Sequence, residues 1–210
     1  VADLLDDAGE AFTATEEGAE AKVPLHQYGR VERWLDAMES TRDESAEALR
    51  RSLRAVTVAP SPELPKDFAT SLRPYQKQGL AWLQFLDAMG AGGVLADDMG
   101  LGKTVMTLAL LAWKRDREGA APSLVVCPTS VASNWVNEAQ RFAPTLKVLS
   151  LQGLGASERA TAALARFDLV VTTYALLRRD AELLRAVTFR YAVLDEAQNI
   201  KNADATTTRA

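Results

Sequence analysis

Two short runs carry residue types that can do chemistry together. In Asp97-Asp98-Met99-Gly100-Leu101-Gly102-Lys103-Thr104, two glycines precede a Lys-Thr pair. Glycines admit left-handed turns that let backbone N–H groups wrap an oxyanion, and a helix opening at Lys103 adds the positive end of its dipole. In such a loop Lys103 reaches the β and γ phosphates of a nucleotide and Thr104 holds Mg²⁺. One position departs from the general pattern: Asp97 stands where a P-loop has glycine. The second run, Tyr191-Ala192-Val193-Leu194-Asp195-Glu196-Ala197-Gln198, is an apolar stretch ending in two carboxylates. Asp195 is then the Mg²⁺ ligand, directly or through water, and Glu196 accepts the proton of an attacking water. Alone, an acid pair after a strand is weak, because solvated acids at strand ends are common. Following a phosphate loop in this order, it reads as that loop's metal partner.

Positioning these runs requires short buried strands that feed helices. Gly93–Ala96, Leu124–Cys127, Lys147–Leu151, Leu169–Thr172 and Tyr191–Leu194 are apolar runs of strand length. Between them lie helical patterns at Lys103–Trp113, Val131–Phe142, Ala156–Arg166 and Ala175–Arg185, after a first helix at Pro74–Met89 with proline in its first turn. This alternation predicts an α/β domain with a mainly parallel sheet covered by helices on both faces. Ligands in such sheets sit beyond the carboxyl ends of the strands. The informative loops therefore follow Ala96, Cys127, Thr172 and Leu194.

The chain has 210 residues and a formal charge of −4. Residues 1–66 hold 14 acidic and 8 basic side chains, and residues 67–210 hold 14 and 16. The balance of the second part is too slight to be a nucleic-acid footprint by itself. Residues 1–29 read as a poorly packed lead-in. Val31, Trp34, Leu35 and Met38 share a helical face, and Thr41 with Glu44 makes a capping box for a second helix. Pro60, Pro62 and Pro65 then break regular structure. The expected organisation is an acidic, partly helical lead-in with a proline-rich linker over 1–66 and the α/β domain over 67–210. No apolar run is long enough for a membrane helix and no signal peptide is visible. A lone Cys127 forms no internal disulfide, as expected in a reducing compartment. Val1 in place of an initiator methionine is expected of a piece of a longer chain. Trp82, Trp113 and Trp135 read as core residues, and Cys127 as a small buried hydrophobe.

Leu72-Arg73-Pro74-Tyr75-Gln76-Lys77-Gln78-Gly79-Leu80-Ala81-Trp82-Leu83 resembles the adenine-side motif of Swi/Snf-type DNA translocases. Asp97 to Thr104 resembles their ATP-binding motif, in which Asp at the first position is common. Val126-Cys127-Pro128-Thr129-Ser130 with Asn134-Trp135, and Val171-Thr172-Thr173-Tyr174, resemble the two motifs that follow. Asp195 to Asn202 is similar to their DEAH-box segment. Gln198 stands where many members have histidine, a variant expected among bacterial-type members.

The resemblance implies a RecA-like P-loop lobe that uses ATP and Mg²⁺ and acts on double-stranded DNA, bare or within a DNA-bound complex. It implies that Gln76 reads the adenine edge, which suits an amide that donates and accepts at once. Arg73 helps place the nucleotide, and Gln198 senses the γ-phosphate side. Thr129, Ser130, Thr172 and Thr173 track DNA phosphates, with Lys201 and Asn202 beside them. Hydroxyls suit phosphate contacts, although they also cap helices. Members continue into a coupling motif and a second RecA-like lobe that brings the arginine finger, so residues 1–210 alone are expected to turn over ATP negligibly. The location implied is cytoplasmic and nucleoid-associated in a bacterium, or nuclear in a eukaryote. Two other readings stand beside this one. An RNA helicase of the same superfamily would usually show Pro-Thr-Arg-Glu-Leu where this chain has Pro128-Thr129-Ser130-Val131-Ala132. A nucleotide-gated scaffold with no motor cycle would lack the arginine motif further on.

Overall fold

The computed structural model describes residues 12–15, 18–21, 61–155 and 163–200. The helices expected over 30–56, and Lys201 and Asn202, lie outside the described residues. The chain divides into two compact units, one of residues 1–59 with 85–94 and the other of 60–84 with 95–210. In the first unit, Phe12–Thr15 (β1) pairs antiparallel with Gly18–Ala21 (β2), Phe12 opposite Ala21 and Thr15 opposite Gly18. Residues 1–29 carried no periodicity that announced this pair. Phe and Thr nonetheless favour the extended backbone.

The second unit is the α/β domain. Its helices are Pro74–Ala88 (α1, whose last turn belongs to the first unit), Lys103–Glu118 (α2), Ala132–Phe142 (α3), Tyr174–Arg179 (α4) and Ala181–Arg185 (α5). Its strands are Ser123–Cys127 (β3), Val148–Ser150 (β4), Leu169–Thr173 (β5) and Ala192–Leu194 (β6). They form one parallel sheet in the order β4-β5-β3-β6. The central strands β3 and β5 are buried along their whole length, with Val125 opposite Val171 and Cys127 opposite Thr173.

Pleating sends alternate residues of each strand to opposite faces. Val125, Cys127, Leu169 and Val171 meet Leu108, Leu111 and Ala112 of α2 and Trp135 and Ala139 of α3. Leu124, Val126 and Val170 meet Leu151, Leu164, Tyr174 and Leu184. Helices therefore cover both faces, as the alternating sequence requires. Each fully buried leucine or valine contributes about 1.5–3 kcal/mol over its exposed state.

Two expectations change. Residues 93–96 join no strand of the sheet, and Val94 is 80% exposed. The run Gly92-Gly93 gives this segment a high backbone entropy cost and no side chains to pack, which weakens a strand of this length. The phosphate loop is thus anchored by α1 and α2 rather than by a preceding strand. The helix expected over Ala175–Arg185 is two short helices that meet at Asp180. Of Ala156–Arg166, only Ala163–Arg166 falls within the described residues, as a 3₁₀ turn.

The described part of the proline-rich segment is bound to the domain. Glu63 N donates to Gln84 Oε1 (3.1 Å), Gln84 Nε2 donates to Glu63 O (2.6 Å), and Glu63 Oε2 accepts from Trp113 Nε1 (3.0 Å) and Arg117 (2.6 Å). Lys66 N donates to Asp116 Oδ2 at 2.8 Å. Proline removes donors from the segment, and the N–H groups of Glu63 and Lys66 are spent on side chains of α1 and α2.

Candidate nucleotide-binding site

The phosphate loop turns twice through left-handed glycines, Gly100 at φ 85° and Gly102 at φ 84°. At Gly102 the space is closed as well: a Cβ would lie 2.5 Å from Gln76 Nε2. The helix starts directly behind it, with Met106 N donating to Gly102 O at 3.0 Å. Gln76 ties this loop to α1. Its Oε1 accepts from Arg73 N (2.9 Å) and its Nε2 donates to Leu101 O (3.2 Å). Each end of the amide keeps one further hydrogen-bonding position, enough to meet one polar edge of a base. The Lys103 ammonium donates to the carbonyls of Asp97 (2.6 Å) and Asp98 (3.1 Å), so it curls back over its own loop. Asp98, Met99, Gly100 and Leu101 are exposed and Thr104 is half-buried.

The acid loop is built by β6 and its neighbours. Asp195 N donates to Val126 O at 2.9 Å, extending the β3–β6 ladder by one bond. Asp195 Oδ2 accepts from the indole of Trp135 at 2.8 Å, and the Tyr174 hydroxyl donates to Asp195 O at 2.8 Å. Glu196 is the one non-glycine residue with positive φ (53°) among the described residues. Gln198 Nε2 donates to Glu196 Oε2 from the turn Ala197–Ile200. Among the described residues, no hydrogen bond or ion pair joins Lys103 or Thr104 to Asp195.

Asp195 marks its surroundings electrostatically. Burial, and then the negative charge of Asp195, push the Cys127 thiol up to about 11. Burial, with Asp195 the largest charge effect, raises the Tyr174 hydroxyl above its ordinary value too. A thiol so raised stays protonated at neutral pH, and the thiolate is the nucleophile. Native protein at about pH 8 is therefore expected to resist iodoacetamide while guanidinium-unfolded protein takes one label. Equal labelling rates by mass spectrometry would contradict this burial.

The hydroxyls expected at a DNA interface divide into two groups. Thr129 and Ser130 are exposed ahead of α3. Thr172 and Thr173 are not: their exposures are 0% and 2%. Thr173 Oγ1 accepts from Leu176 N and caps α4, and Thr172 Oγ1 lies in the core without a hydrogen-bond partner. Strand burial, which the apolar run already implied, overrides the surface role. The sequence placed Trp135 in the core, where it is; that it also serves Asp195 depends on two residues sixty positions apart and carries no local signal.

The residues present fit a triphosphate and its cation. The loop has a glycine cradle that a Cβ would fill and an ammonium held only by neutral carbonyls. Among the described residues no cluster of three or more protein ligands could cage a metal. Nucleotide-bound Mg²⁺ asks for less, one or two carboxylates besides phosphate oxygens and water.

A glycine-turned phosphate loop opening a helix, beside a parallel sheet with an acid pair at the end of one strand, defines the RecA-like nucleotide-binding class. Within that class, residues 75–210 match the SNF2-related domain, and the chain belongs to this family. It is 43% identical over 166 residues to the putative ATP-dependent helicase/translocase YwqA of Bacillus subtilis, a match covering 78% of this chain and 18% of that protein. It is 40% identical over 178 residues to the helicase SWR1 of Eremothecium gossypii, covering 82% and 12%. The SWI2/SNF2 ATPase core of Sulfolobus solfataricus, solved in complex with double-stranded DNA, superposes with a TM-score of 0.65 at 41% identity, covering 70% of this chain and 30% of that one. The chain thus spans less than a fifth of the length of these curated relatives.

Proposed function

We propose that this chain is the ATP-binding lobe of an ATP-dependent translocase that moves on double-stranded DNA, completed by a second RecA-like lobe in the longer protein. The observation that carries this reading is the loop Gly100–Thr104, locked by Gln76 at the opening of α2. Lys103 exchanges two loop carbonyls for phosphate oxygens, a stronger, charge-assisted pairing. Gly102 gives the phosphates access to the backbone, and Gln76, with Arg73 beside it, places the base. Thr104 and Asp195 hold the cation. Mg²⁺, when bound, neutralises charge on the phosphates and orders the water shell. Glu196 takes the proton of the attacking water, and Gln198 holds the Glu196 carboxylate. The exposed hydroxyls of Thr129 and Ser130 are placed for backbone phosphates, contacts that position DNA without reading its sequence. Support for duplex DNA as the track comes from the Sulfolobus relative solved on it.

The test is calorimetric. Lys103→Ala is expected to weaken ATP–Mg²⁺ binding by about 1.5–3 kcal/mol, the worth of a charge-assisted hydrogen bond. Equal affinities for wild type and variant would remove Lys103 from the site and the reading with it.

A further inference from the structure

We infer that Trp135 and Tyr174 are positioning residues that hold Asp195 in its metal-binding geometry. Asp195 is fixed through three of its own atoms by three different elements. Its N–H is held by Val126 of β3, its carbonyl accepts from the Tyr174 hydroxyl at the start of α4, and its Oδ2 accepts from the Trp135 indole of α3. The first two bonds fix the peptide and the third fixes the side-chain torsions. Trp135 is 2% exposed, and a buried indole N–H must find an acceptor. Here the acceptor is a carboxylate rather than a backbone carbonyl.

The choice of donors has a consequence for the cation. Lysine or arginine in place of Trp135 would neutralise Asp195 and compete with a metal. An indole and a phenol are neutral: they orient the acid and leave its charge in place. Oδ1 and the second lone pair of Oδ2 remain as acceptors for a cation or its water. The brace also bears on the next residue. Glu196 adopts φ 53°, a conformation a non-glycine residue keeps only where its surroundings over-determine it, and an Asp195 held at N, O and Oδ2 supplies that determination from one side.

This inference rests on Asp195 serving the metal. The test uses the full-length protein, a fluorescent non-hydrolysable ATP analogue and Mn²⁺ as the probe cation. Three quantities are measured for wild type, Trp135→Phe and Tyr174→Phe: melting temperature, analogue affinity without metal, and the Mn²⁺ concentration that half-saturates metal-dependent binding. Loss of a hydrogen bond to a charged group is expected to raise the Mn²⁺ requirement of Trp135→Phe about tenfold. Loss of a neutral one is expected to raise that of Tyr174→Phe about threefold to fivefold. Metal-free affinity is expected to stay at the wild-type value in both, which a merely structural role would not spare selectively. Tyr174→Phe keeps the ring and the core volume, so it decides the matter if Trp135→Phe does not fold. An unchanged Mn²⁺ requirement in a folded variant overturns the inference. A wild type whose analogue binding ignores Mn²⁺ overturns instead the reading of Asp195 on which it rests.

Discussion

Glu196→Gln in the full-length protein is expected to lower DNA-stimulated ATP hydrolysis by about a hundredfold to ten-thousandfold, the usual worth of a positioned proton acceptor. ATP binding is expected to stay at the wild-type level. The expectation follows from how the side chain is held. Glu196 occupies the left-handed region at φ 53°, which costs a residue with a Cβ about 1–2 kcal/mol. The ladder bond from Asp195 N to Val126 O fixes the chain before it, and the 3₁₀ turn Ala197–Ile200 fixes the chain after it. The carboxylate accepts from Gln198 Nε2, which sets its rotamer. Glutamine preserves each of these relations, because its Oε1 still accepts from Gln198, but it cannot take a proton from water. Binding depends on Lys103, Gly102 and Gln76, which the change leaves alone. Phosphate release with and without duplex DNA, beside equilibrium ATP binding, separates the two. A variant that still hydrolyses ATP would remove Glu196 as the base, and one that binds ATP more weakly would place Glu196 among the residues that contact the nucleotide or its cation.

The parts of this site legible in the sequence are those whose chemistry needs fixed residue types at fixed spacing. Gly100, Gly102, Lys103 and Thr104 had to follow one another for a loop to wrap phosphate and open a helix. Asp195 and Glu196 had to end an apolar strand. The strands β3 and β5 were legible because a strand buried on both faces leaves a continuous apolar run; β6 left one too, although its Ala192 and Leu194 are exposed. Other features were hidden because they depend on partners far along the chain. The pairing of Trp135 with Asp195, and the binding of Glu63 to Gln84, Trp113 and Arg117, leave no local pattern. Thr172 and Thr173 misled because a hydroxyl at a strand end suits a phosphate, a helix cap or a buried packing position equally well, and only burial decides. At 93–96 the apolar residues suited a strand, yet nothing in a single run says whether a neighbouring strand accepts it.

Asp168→Ala is expected to destabilise the domain by about 3 kcal/mol, away from the nucleotide site. Asp168, the residue just before β5, is 4% exposed, and its carboxylate ties together elements from three parts of the sequence. Oδ2 accepts from Lys147 N, just before β4, at 2.8 Å, and lies 3.2 Å from Arg115 Nε near the end of α2. The contact with Arg115 is an ion pair without hydrogen-bond alignment, so the bond to Lys147 N fixes the geometry while Arg115 balances the charge. The backbone of the same residue joins in: Ser123 N donates to Asp168 O, and Asp168 N donates to Lys147 O. Truncation to alanine leaves the part-buried Lys147 N–H without its acceptor and the Arg115 guanidinium without its counter-charge, the costly half of breaking such a pair. The Arg115 side chain is 28% exposed, so water recovers part of the loss and the expectation sits at the low end of the range for buried pairs. At roughly 2–4 °C per kcal/mol for a domain of this size, the melting temperature should fall by about 6–12 °C. Asp168→Asn, which can still accept from Lys147 N through its carbonyl, should lose less. Arg115→Met removes the charge that truncation strands, so the double variant Arg115→Met/Asp168→Ala should be more stable than the sum of the two single losses implies. A melting temperature within 2 °C of wild type for Asp168→Ala, a shift worth less than about 1 kcal/mol, would mean that β4 and β5 align without this carboxylate.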